Sequence, residues 1–180
     1  MQSNGFLCRK IFFTGKSSVL SGPAGGVKGG VRIANINAIK NIIGFDMGGT
    51  STDIWHRSQN VEMKSETKIS GVFIKNPSLL IDSIASGGGS VIKYENKRFI
   101  VGPESAGSYP GPTCYRNHGP LTLTDCNLLL GRIIKQHFPK YFGVNGDQAI
   151  SKSLSIENFK ILRQAVKKDY KIYNNVFQIA

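Results

Sequence analysis

Gly44-Phe45-Asp46-Met47-Gly48-Gly49-Thr50-Ser51-Thr52-Asp53 is the stretch on which the reading of this chain turns. It follows Ile42-Ile43, an apolar pair that predicts a strand delivering it. Gly48 and Gly49 let the backbone turn tightly, with no Cβ to block a ligand. Thr50, Ser51 and Thr52, with their backbone N–H groups, are donors suited to an anion. Asp46 and Asp53 would repel a bare phosphate, so a phosphate here asks for a divalent cation or a bound water. The alternative is an ordinary hairpin turn, for which Gly-Gly between apolar runs also serves. A P-loop is excluded, because no lysine precedes the hydroxyl residues.

The chain has 180 residues, is 40% hydrophobic and 19% charged, and so suits one core-forming domain or one lobe of a larger protein. No apolar run approaches the ~20 residues of a membrane-spanning helix. Residues 1–10 lack the apolar region of a signal peptide. Cys8, Cys114 and Cys126 do not make a disulfide framework, and the expected location is the cytoplasm. The net charge of +12 comes mainly from lysines spread along the chain. Without a basic block or arginine–aromatic interleaving, it reads as a solvated surface, and nucleic-acid binding is the weaker reading.

Glycine clusters at 21–26, in the opening stretch, at 86–90 and between 102 and 119, the pattern of functional loops on a rigid scaffold. Residues 24–39 predict a glycine-rich helix whose small residues allow close packing on a sheet. Strands are expected at 41–45, through Ile54-Trp55, at 68–74, at 90–94 and at 98–101. The last two form a hairpin turning at Glu95-Asn96-Lys97. Residues 79–85 read as a short helix or strand. Thr124-Asp125 is the expected cap of a helix over 126–135. Ser155 is the expected cap of a final helix with Ile156, Phe159, Leu162, Val166 and Tyr170 on one face, and Lys167, Lys168 and Lys171 near its end.

Several motifs occur in one order: Leu20-Ser21-Gly22-Pro23-Ala24-Gly25-Gly26-Val27, residues 44–53, Ala85-Ser86-Gly87-Gly88-Gly89-Ser90, Val101-Gly102-Pro103-Glu104-Ser105-Ala106-Gly107, Pro110-Gly111-Pro112-Thr113-Cys114-Tyr115 and Gly119-Pro120-Leu121-Thr122-Leu123-Thr124-Asp125. Together they resemble the hydantoinase A / 5-oxoprolinase family, over about residues 1–150. The resemblance implies an α/β fold, one incomplete lobe of an actin/hexokinase/Hsp70-like ATPase, with a mixed sheet and flanking helices. Residues 1–150 would be part of the central domain, and 151–180 its C-terminal helical extension. Only one Asp-x-Gly-Gly-Thr occurs, at 46–50, and its place matches the family's second phosphate hairpin. The start of the chain resembles an internal family segment. A fragment is therefore expected, with the N-terminal lobe on another chain or lost.

The resemblance implies an ATP-dependent hydrolase of cyclic amides, with ATP and Mg²⁺ as cofactors and no activity expected of this chain alone. Gly48, Gly49, Thr50, Ser51 and Thr52 would hold the phosphates, with Asp53 a second polar candidate. Asp46 would orient Mg²⁺ through water or position the nucleophile. Gly87, Gly88 and Gly89 would allow backbone approach to the nucleotide. Glu104, Ser105 and Asp125 would line the substrate or the lobe interface; capping and loop-fixing hydrogen bonds are the alternative for them. Expected partners are a separately encoded N-terminal lobe, a hydantoinase B-like subunit and a small cyclic amide, with no membrane. A non-catalytic remnant or nucleotide-binding interaction module is the competing reading. Cys114, His118 and Cys126 have ligand chemistry for zinc, but the set is too sparse to predict a site.

Overall fold

The computed structural model describes residues 1–69 and 71–169. These residues belong to two compact units: Met1–Asp46 with Thr52–Ile84, and Met47–Ser51 with the chain from Ala85 onward. The opening stretch is thus divided. Its tip, residues 47–51, belongs to the second unit, whereas Asp46, Thr52 and Asp53 belong to the first.

The first unit contains a short helix α1 (Gly15–Ser18), a long helix α2 (Ser21–Ile36) and strands β1 (Ile42–Met47), β2 (Thr52–Arg57), β3 (Met63–Ile69), β4 (Val72–Leu79) and β5 (Asp82–Ile84). One sheet has the order β1-β2-β5, and β3 pairs with β4 alone. In the first sheet Asp53 stands opposite Ser83, with β2 and β5 antiparallel. The core joins Ala24 and Val27 of α2 to Trp55, Leu79 and Ile81, with Val31, Ile42 and Val61 packed around them. Small residues make this packing possible. A Cβ at Gly30 would lie 2.7 Å from Trp55 Cζ2, and one at Gly44 would fall inside the indole. The glycines that weaken α2 as a helix therefore admit the largest side chain of the core.

Arg57 ties the end of α2 to the start of β1. Its guanidinium donates to Lys40 O at 3.1 Å, Ile39 O at 2.6 Å and Asn35 Oδ1 at 2.7 Å. All three nitrogens of the buried group are satisfied, as burial of a charge requires.

The second unit contains the hairpin β6 (Ser90–Glu95) and β7 (Arg98–Ser105), helix α3 (Leu123–Leu129) and helix α4 (Lys152–Asp169). Asn96 and Lys97 take φ of 50° and 62°, so two left-handed residues close the hairpin where the sequence placed its turn. One core cluster packs Cys126 and Leu129 of α3 against Phe159 of α4. A second gathers Cys114, Leu128 and Ile150, with Phe138 and Phe142 beside them.

Several expectations need correction. Among the described residues the strands form three small sheets, not one mixed sheet. The single strand expected over 68–74 is instead the end of β3, to Ile69, and the start of β4, from Val72, which pair with each other, and Gly71 takes φ +85°. Helix α2 starts at Ser21, and residues 79–85 are the end of β4 followed by β5. Helix α3 begins earlier and ends earlier than 126–135, because Thr122 caps it in a capping box with Asp125. Helix α4 begins at Lys152. Its N-terminal hydrogen bond comes from Ser151, whose Oγ accepts the Leu154 N–H at 3.3 Å, so Ser155 lies inside the helix. Tyr170 and Lys171 lie outside the described residues.

Candidate functional site

The tip of the opening stretch is a tight turn closed by the Gly48 N–H donating to Ser51 O at 2.8 Å. A second glycine loop braces it. The Gly88 N–H donates to Gly48 O at 2.9 Å, and the Gly89 N–H to Gly49 O at 2.6 Å. This approach needs glycine at 87, where a Cβ would lie 2.7 Å from the carbonyl carbon and oxygen of Gly49 and from Thr50 N. A Cβ at Gly89 would lie 2.9 Å from Gly49 O. The loop is itself anchored. The Gly87 N–H donates to Ser90 Oγ at 2.9 Å, and Thr124 binds Gly88 O through its N–H at 2.8 Å and its hydroxyl at 2.9 Å. All three N–H groups of 87, 88 and 89 are thus used within the chain. The observed work of these glycines is close approach to the tip.

The tip's remaining donors are not used. Among the described residues, the N–H groups of Gly49, Thr50 and Ser51 and the hydroxyls of Thr50 and Ser51 have no protein acceptor. Gly49 and Thr50 are exposed, and Ser51 is half-buried. Three successive N–H groups without a protein acceptor on a braced turn are donors of the kind an anion can use. A cavity of ≈ 420 Å³ adjoins them, lined by Gly49, Thr50, Gly89, Gly107, Ser108, Pro112, Tyr115 and Thr124. That volume falls in the range of small-molecule sites. Another cavity of ≈ 420 Å³ lies in the first unit beside Arg57, but the donors of that residue are already engaged.

The flanking residues divide in role. Asp46 is exposed, and its carboxylate makes no hydrogen bond or ion pair among the described residues. A Cβ at Gly26 would lie 3.3 Å from Asp46 Oδ2, so the glycine gives the carboxylate room. Thr52 is fully buried, which withdraws its hydroxyl from solvent. Asp53 accepts a hydrogen bond from Ser83 across the β2–β5 pair. Glu104 is exposed and pairs with Lys93 at 2.5 Å on the β6–β7 hairpin. This hydrogen bond, and then the charge of Glu104, raise the Lys93 pKa. Ser105 is half-buried, and its Oγ accepts the Gly107 N–H at 3.2 Å.

Asp125 acts from inside. It is fully buried and accepts from Thr113 N at 3.2 Å, Cys114 N at 2.9 Å, Thr122 N at 2.9 Å, Thr122 Oγ1 at 3.0 Å and Ser155 Oγ at 2.7 Å. It joins the turn at Thr113–Tyr115 to α3 and α4, the loop-fixing role that is the alternative to lining a site. Burial, and secondarily the Asp125 charge, push the Cys114 thiol far up and the Cys126 thiol up to about 11. Neither is a thiolate nucleophile at neutral pH. Among the described residues no group of three His, Cys, Asp or Glu side chains is placed to hold a metal ion. Sequence reasoning missed Gly107, Ser108 and Tyr115 as cavity residues and read Thr124 as a cap; the signals were the glycine-rich composition of 102–119 and the ordered motifs that contain Gly107, Tyr115 and Thr124.

The chain as a whole is similar to known proteins. The chain is 46% identical to 5-oxoprolinase 1 of Arabidopsis thaliana over 163 residues, covering 90% of itself and 13% of that protein. It superposes on the crystal structure of ATP-dependent caprolactamase from Pseudomonas jessenii with a TM-score of 0.74 and 30% identity, covering 98% of itself and 25% of that chain. The nucleotide-free structure of acetone carboxylase gives a TM-score of 0.68 at 25% identity, over 90% of this chain and 22% of that one. The chain thus spans only a small part of the length of the relatives it matches. The family model described as Hydantoinase/oxoprolinase matches residues 1–180, the whole span in which the ordered motifs lie: this chain belongs to the hydantoinase/oxoprolinase family.

Proposed function

We propose that this chain supplies one wall of the nucleotide cleft of an ATP-dependent cyclic-amide hydrolase of the 5-oxoprolinase or hydantoinase type, within one lobe of an actin/hexokinase/Hsp70-like ATPase fold. The observation that carries the reading is the set of free N–H groups at Gly49, Thr50 and Ser51 on a turn braced by a second glycine loop. Such a turn suits a phosphate because its backbone is already fixed by the Gly48–Ser51 closure and by Gly88 and Gly89, so little ordering is left for binding. ATP, when bound, supplies the phosphoryl group that activates the ring amide toward opening. The chain's own residues bind and orient. The N–H groups of 49–51 and the hydroxyls of Thr50 and Ser51 hold the phosphate oxygens. Residues 87, 88 and 89 keep the tip in place. Asp46, the exposed aspartate of the pair, is the residue we assign to a Mg²⁺ ion through water.

Residues 151–180 belong, on this reading, to the same domain as 1–150, which the family match over the full chain supports. On this reading activity needs the other lobe of the cleft as well as this chain. The edge strand β1 exposes Ile43 (80%) and Phe45 (64%), side chains that a partner would cover. A hydantoinase B-like subunit is a second proposed partner. A cytoplasmic setting accords with the cysteines, all of which are free thiols.

The test is turnover of 5-oxoproline with ATP and Mg²⁺ by the purified chain, alone and mixed with a separately expressed N-terminal lobe from a family member. No turnover alone and turnover in the mixture are expected. Turnover by the chain alone would sink the shared-cleft reading.

A further inference from the structure

The cavity beside the tip is also lined by Tyr115, a residue to which nothing above gives a role. Its ring is firmly held. It packs on Phe142 with centroids 4.2 Å apart and planes at 34°. Its N–H donates to Pro112 O at 2.9 Å, and its carbonyl accepts the Gly143 N–H at 2.9 Å. Gly111, at φ +75°, leaves the space the ring occupies: a Cβ there would lie 2.6 Å from Tyr115 Cδ2. The neighbouring Cys114 is pinned through its N–H to Asp125.

Yet the phenol has no hydrogen-bond partner among the described residues. The hydroxyl is not among the buried unpaired polar atoms of the described residues, so it is open to solvent and accessible to a ligand in the cavity. Burial, and then the neighbouring Cys114 and Asp125, raise the Tyr115 pKa, so the phenol keeps its proton and remains a donor. No charged side chain lines the cavity. Its polar groups include the tip N–H groups and several hydroxyls, and such a wall calls for a ligand rich in acceptors.

We propose that Tyr115 is a ligand-binding residue of this cavity, its phenol donating a hydrogen bond to the phosphoryl-bearing ligand held by the tip N–H groups. The inference rests on the nucleotide reading above and assigns a second wall to the same site. Its ligand class is a nucleoside polyphosphate.

Calorimetric titration of the full chain with Mg-ATP, comparing wild type with Tyr115→Phe, tests it. The substitution keeps the ring on Phe142 and removes only the hydroxyl. Binding about tenfold weaker, with Tm unchanged, is expected from losing one hydrogen bond to a charged acceptor. A second readout needs no variant: the Tyr115 Cζ resonance of the wild type should shift saturably with Mg-ATP, at the same Kd as the tip amides. Equal affinities together with an unmoved Cζ resonance would overturn the Tyr115 assignment and leave the nucleotide reading standing. A wild-type chain that binds no nucleotide would overturn both.

Discussion

At residue 87 the lack of a side chain is what lets the two glycine turns meet. Gly87→Ala would drive a Cβ into the backbone of Gly49 and Thr50, where no flexible side chain can yield. We expect it to destabilise the fold by about 1–3 kcal/mol and to abolish nucleotide binding, read by urea unfolding and calorimetry. Gly49→Ala is the control, because a Cβ there meets nothing within 4 Å; folding should change by less than about 0.5 kcal/mol. Asp125→Asn should cost about 2–4 kcal/mol, because a buried acceptor with five donors would turn an NH₂ toward some of them. The raised thiol pKa values have a definite pH consequence. Below pH 9.0, the ordinary value, Cys114 and Cys126 are protonated in both folded and unfolded chains. Above it the unfolded chain releases protons that the folded chain keeps, so stability should fall between pH 9.0 and about 11 as Cys126 titrates, and continue to fall beyond as Cys114 does. Urea midpoints across that range, with Cys114→Ser and Cys126→Ser variants for comparison, check it. The identity of the tip was legible at this scale, since residue types alone marked 48–51 as a donor-rich turn. The fate of Asp125 was not, because a capping aspartate and a ligand-facing one look alike without knowledge of burial.

Helix α2 combines weak propensity with a fixed packing demand. Gly29 and Gly30 are adjacent, yet a Cβ at 29 meets nothing and a Cβ at 30 meets the Trp55 ring. Gly29→Ala should stabilise by up to about 1 kcal/mol through helix propensity, whereas Gly30→Ala should destabilise by about 1–3 kcal/mol. Thermal melts of the two variants should therefore move in opposite directions. The small-residue pattern made this helix and its close packing readable. The boundaries of α3 and α4 were harder, because Thr122 and Thr124, and likewise Ser151 and Ser155, are equally good caps by residue type. Hydrogen-bond geometry alone separates them. The β3–β4 pairing was missed because residues 68–74 read as a single strand, although Gly71 inside it is a strand breaker.

Across the whole molecule, the exposed side chains of β1 have consequences for association. An unpaired strand edge bearing Ile43 and Phe45, with no charge between them, invites pairing with another chain. The double variant Ile43→Lys/Phe45→Lys should lower self-association of the purified chain, seen by sedimentation velocity, and should prevent docking of a partner lobe. The family was legible because its motifs are contiguous in sequence. The two-unit organisation was not, because the opening stretch that reads as one motif is shared between units. The decisive experiment on the phosphate turn is a ¹⁵N-¹H titration of the full chain with Mg-ATP. Saturable shifts of the Gly49, Thr50 and Ser51 amides are expected, while the engaged amides of Gly88 and Gly89 keep their slow hydrogen exchange. Tip amides that stay in place at saturating nucleotide would contradict the assignment of this turn to phosphate.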